Sequence, residues 1–71
     1  MREKIITALK AKYFGQIEEA RANIEIYLAN PVGIGEHPEI LDAIDTQIAK
    51  IAEAKEKFEV LEEFYDGRQQ S

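Results

Sequence analysis

The stretch that decides the fold is Asn30-Pro31-Val32-Gly33-Ile34-Gly35-Glu36-His37-Pro38, which separates two long segments of helical pattern. Pro31 has no amide N–H and disfavours a helical residue before it, so the first segment is expected to stop at or before Asn30. Gly33 and Gly35 can take positive φ in a tight reversal. Pro38 suits the first position of a following helix, where Glu39 and Asp42 favour the positive end of the dipole. That places His37 at the N-cap, an unusual residue there. The sequence therefore predicts one domain over residues 1–71: a helix over about 2–30, a loop over about 30–38, a second helix over about 38–65 and a frayed tail over 66–71.

Outward from the loop, the first segment carries an apolar stripe of Ile6, Tyr13, Ile17, Ala20, Ile24 and Tyr27, with Lys10 as its polar member. The second carries Leu41, Ile44, Ile48, Ile51, Phe58 and Tyr65, with Lys55 and Glu62 as polar members. Alternating spacings of three and four are the seams of helices packed at small crossing angles. Ala, Glu, Lys, Ile and Leu dominate both segments, and most favour helix. A connection of about eight residues between such helices implies an antiparallel αα-hairpin. Pairing residues whose numbers sum to about 68 sets Tyr27 against Leu41, Ile24 against Ile44, Ala20 against Ile48, Ile17 against Ile51 and Tyr13 against Lys55. The last pair would allow a cation–π or hydrogen-bond contact.

Charge supports the same register. Residues 1–13 carry Arg2, Lys4, Lys10 and Lys12 against Glu3 alone, a balance of +3; residues 53–66 carry six acids against Lys55 and Lys57, a balance of −4. Cations at a helix start and anions at a helix end oppose the macrodipole. Laid side by side, however, the two ends answer each other, with Lys4, Lys10 and Lys12 expected near Asp66, Glu59 and Glu56. Glu53 and Lys57 form a favourable i,i+4 pair.

Two helices cannot enclose a core. Leu9, Phe14 and Leu28 on the first helix and Ile40, Ala54 and Leu61 on the second lie beside the seams, so the apolar stripes are wider than one partner helix needs. The economical solution is a second copy and a two-fold symmetric four-helix bundle. Leu9, Phe14, Leu28, Ile40 and Leu61 are the candidate dimer face. Gly15 interrupts the first helix and reads either as a hinge or close approach, or as tolerated drift in a long helix.

The 71 residues are 45% hydrophobic and 32% charged, too apolar for a disordered chain. Cysteine is absent, which removes disulfides and thiolate metal sites. No run approaches the ~20 apolar residues of a membrane span. Met1-Arg2-Glu3-Lys4 opens no secretory segment, so a soluble cytoplasmic protein without membrane contact is expected. The net charge of −5 disfavours phosphate backbones and anionic lipid.

Catalysis needs convergent polar groups in a dry pocket. Thr7 and Thr46 have no evident base, Ser71 is terminal, and His37 is the single histidine. Gly33-Ile34-Gly35 lacks the strand and third glycine of a dinucleotide site. Glu36, His37, Glu39 and Asp42 do not have metal-ligand spacing and read as cap and dipole residues. No catalytic residue, metal or cofactor is expected. A non-enzymatic interaction module that self-associates as a dimer is the expected function, with a protein as further partner. Val32, Ile34 and His37 form a candidate recognition loop; Val32 and Ile34 could equally plug the bundle end. The alternative is a nucleic-acid-binding bundle using the Arg2, Lys4, Lys10 and Lys12 cluster.

The stretch Ile26-Tyr27-Leu28-Ala29 followed by the loop through Pro38, flanked by Lys10-Ala11-Lys12-Tyr13 and Ile48-Ala49-Lys50-Ile51-Ala52, resembles the centre of small uncharacterised proteins of marine tailed bacteriophages, especially those infecting cyanobacteria. The resemblance implies an accessory protein made in an infected host's cytoplasm. It implies no activity and no site residues.

Overall fold

The computed structural model describes residues 1–29 and 39–66. Two helices, α1 (Arg2–Ala29) and α2 (Glu39–Tyr65), account for nearly all of them and pack along their lengths as an antiparallel hairpin. The expected reversal at 30–38, its candidate loop residues Val32, Ile34 and His37, and the tail from residue 67 onward lie outside the described residues. The chain measures 52 × 16 × 13 Å, little more than two helices wide. Its radius of gyration is 16.0 Å, where a compact chain of this length has about 11 Å.

The α1 seam is the expected one: Ile6, Tyr13, Ile17, Ile24 and Tyr27 are half-buried and Ala20 is 1% exposed. The α2 seam is corrected by one helical position. Its buried members are Gln47, Ala54 and Leu61, flanked by half-buried Ile40, Ile44, Ile51 and Phe58. Leu41, Ile48, Lys55 and Tyr65, read from the sequence as seam residues, are exposed, Leu41 to 70%. Successive residues stand 100° apart on a helix, so α2 holds two apolar stripes that share Ile44, Ile51 and Phe58. The sequence reading follows the stripe with the larger side chains. The structure buries the one containing Ala54, because a small side chain lets the helices approach.

The register is close to that expected. Arg2 with Tyr65 and Asn23 with Gln47 sum to 67 and 70. The amide of Asn23 donates to Gln47 Oε1 at 3.2 Å, so the buried Gln47 is satisfied. Gln47 therefore takes the place opposite Ala20 that the sequence reading gave to Ile48.

The charge pattern acts at the helix ends. The Arg2 guanidinium donates to the carbonyl of Tyr65. A cation misplaced for the dipole of α1 thus satisfies an orphan carbonyl at the negative end of α2. The Lys10 ammonium donates to Asp66 Oδ2 at 2.7 Å and lies 3.9 Å from Glu62 Oε2. Lys4 and Lys12, expected to join them, make no ion pair among the described residues. They are exposed, and water competes with so weak a contact. Glu53 and Lys57 approach to 3.8 Å on one face of α2.

Helix α1 runs unbroken through Gly15, which is exposed, and a Cβ built there meets nothing within 4 Å. Neither a hinge nor a close approach requires it. Gly15→Ala is expected to stabilise the fold by about 0.5–1 kcal/mol, because alanine orders into helix at lower entropic cost. A raised urea midpoint with an unchanged m-value would show it.

Candidate functional site

A two-helix hairpin has two flanks, which contacts across the seam and the i, i+3/i+4 recurrence of helix faces identify. One flank carries the Asn23–Gln47 bond, with Gln16, Glu19 and Lys50 grouped around buried Ala20. This middle stretch is polar. Toward Arg2 and Tyr65 the same flank opens into an apolar groove of about 570 Å³. Ile5, Ile6, Leu9, Tyr13, Val60 and Leu61 line it; Arg2, Glu53, Glu56 and Lys57 supply its charged members. Tyr13 thus lies among Glu53 and Lys57 rather than against Lys55 as expected.

The opposite flank is marked by Lys10 with Glu62 and Asp66. Stepping from that cluster by three and four residues, α1 presents Phe14, Ile17, Arg21, Ile24 and Leu28, and α2 presents Phe58, Lys55, Ile51, Ile48, Ile44 and Leu41. Phe14 is 60% exposed, Leu28 and Ile48 are each more than half exposed, and the other isoleucines and Phe58 are half-buried at the seam edge. Arg21 is paired with Glu18 at 2.8 Å. This flank is apolar over most of its length.

The five residues of the candidate dimer face do not share one surface. Leu61 is 7% exposed and Leu9 half-buried; both lie between the helices and border the groove. Ile40 is half-buried at the other end of the seam. Phe14 and Leu28 stand on the opposite flank. Sequence reasoning missed Leu41 and Ile48 as outward residues. The signal was the width of the apolar pattern on α2, which no single seam can accommodate.

Lys10 links the flank to stability. Lys10→Glu would set a third carboxylate against Glu62 and Asp66. It is expected to lower stability by about 1–2 kcal/mol at low salt, and by less as salt rises, since the site is only partly shielded from water. Thermal melts at two ionic strengths check this.

Among the described residues, no group of three His, Cys, Asp or Glu side chains could hold a metal. The acids of the expected cap, Glu39 and Asp42, lie in the first turn of α2; Glu36 and His37 are outside the described residues. No helix of the described residues is long and apolar enough to cross a membrane. No protein-family model matches the sequence, and comparisons with curated proteins and with solved structures find no match.

Proposed function

We propose that the protein is a non-enzymatic interaction module that works by burying apolar helix surface against protein, first of all a second copy of itself, as a four-helix bundle. The thinness of the hairpin interior carries this reading. Among the described apolar residues only Ala20, Ala54 and Leu61 are buried, and two of those are alanines. Phe14, Leu28, Leu41 and Ile48 remain largely in water. Burying each would contribute roughly 1.5–3 kcal/mol.

The resemblance of residues 26–38 to phage proteins supports a reading in which the module acts in an infected host's cytoplasm, with a host or phage protein as a second partner met through Val32, Ile34 and His37. Sedimentation equilibrium over a wide concentration range tests the self-association. The expected result is twice the 8.1 kDa chain mass, falling toward one chain on dilution. A folded monomer at every concentration overturns it. Salt-sensitive RNA or DNA binding lost on converting Lys10 and Lys12 to Glu would instead favour a nucleic-acid role.

A further inference from the structure

We infer that the second copy seats on the flank bearing Phe14, Leu28, Leu41 and Ile48, with the two-fold axis parallel to the helices so that both hairpins point the same way. This deepens the self-association proposed above and rests on it. Three observations carry it.

The first is extent. The groove flank is apolar near Arg2 and Tyr65, turns polar at Gln16, Glu19, Gln47 and Lys50, and beyond them carries the single large apolar side chain of Ile26 on α1. A copy seated there would bury those polar groups along the middle of the bundle. The other flank is apolar from Phe14 to Leu28 on α1, broken by Arg21, and from Leu41 to Phe58 on α2, broken by Lys55, over about 21 and 25 Å of the two helices. The second is periodicity. Leu41, Ile44, Ile48, Ile51 and Phe58 recur at heptad spacing, yet Leu41 and Ile48 are excluded from the seam inside the hairpin. A heptad row turned outward is a seam for another helix.

The third is charge, and it fixes direction. With the hairpins pointing the same way, each α1 lies on the partner's α2. The hairpin register then carries over between copies, setting Leu28 beside the partner's Leu41 and Lys10 within one turn of the partner's Glu59, the partner's Glu62 and the partner's Lys55, two acids against one base. Pointed oppositely, the hairpins would match their apolar stretches by stacking α1 on α1 about residue 21, where Arg21 is already held by Glu18 at 2.8 Å. That arrangement carries Lys10 away from the partner's Glu59 and the partner's Glu62, so the opposed direction forgoes the charge complementarity of the parallel one.

Two experiments on the full chain test this. In sedimentation equilibrium, Ile48→Glu is expected to raise the dimer dissociation constant by about 30-fold or more, and Ile5→Glu, in the groove, to leave it unchanged. Should Ile48→Glu lose its helical signal, Leu41→Glu serves instead, since that side chain is 70% exposed in the hairpin. The chain has no cysteine, so Ala8→Cys takes one nitroxide label per copy. Double electron–electron resonance is expected to give a separation within about 30 Å; the opposed arrangement gives more than about 40 Å at 1.5 Å rise per residue. A dimer broken by Ile5→Glu and indifferent to Ile48→Glu and Leu41→Glu overturns the choice of flank while self-association stands. The long separation overturns the direction. A wild-type monomer at all concentrations overturns the reading beneath both.

Discussion

Leu61→Asp is expected to abolish cooperative unfolding and remove most of the helical circular dichroism. Leu61 is the one large apolar side chain buried between the helices among the described residues. Removing it forfeits roughly 1.5–3 kcal/mol of burial. The carboxylate put in its place must be desolvated at the seam, one residue from Glu62, at a further cost of several kcal/mol. A domain of this length has a total stability on the order of 4–10 kcal/mol. The substitution is thus expected to consume most or all of it. Leu61→Asn keeps the shape and omits the charge, and is expected to retain a weakened but cooperative thermal transition. Equal behaviour of the two variants would show that cavity, not charge, dominates. Wild-type stability in Leu61→Asp would contradict the seam itself.

Ala54→Leu is expected to cost about 1–3 kcal/mol, although it adds apolar surface. Ala54 is 2% exposed, so a larger side chain must push α1 and α2 apart or leave its preferred rotamer. Ala52 stands two residues away on an exposed face of α2. Ala52→Leu is expected to change stability by no more than about 0.5 kcal/mol. Chemical denaturation of the pair isolates closeness of approach from helix propensity, which is shared. A neutral Ala54→Leu would mean that the helices do not meet closely at that turn.

The hairpin was legible because three different residue types agree on it. Pro31 and the glycines after it break the helical pattern once, apolar spacing supplies two segments of matching length, and opposite charge gathers at the two ends. The rotation of α2 was not legible from hydrophobicity. Ala54 contributes little to an apolar count and Gln47 counts against burial, yet each fits where the helix axes are close and, for Gln47, where Asn23 supplies a hydrogen bond. Size and pairing decide such positions, and neither is encoded in spacing. The same gap explains the mixed fate of the candidate dimer face. Width of the apolar pattern reveals that a second neighbour is needed; it does not reveal which half of the pattern the first neighbour takes. The ion pairs show a further limit: Lys10 finds Glu62 and Asp66 because its stem lies along the seam, while Lys4 and Lys12 share its charge but not its position.

The Arg2–Tyr65 contact has a mechanical consequence. It holds the two helices of the narrow hairpin together at a single pole, so tension applied through Arg2 and Tyr65 acts across the hairpin rather than along it. Such a load peels the pair like a zip, rupturing this bond first, the Lys10 cluster next and then one seam layer after another. The force at each moment is that of the one layer at the opening front, not the sum of all layers, so the molecule should open softly when pulled from that pole while resisting shear along its length.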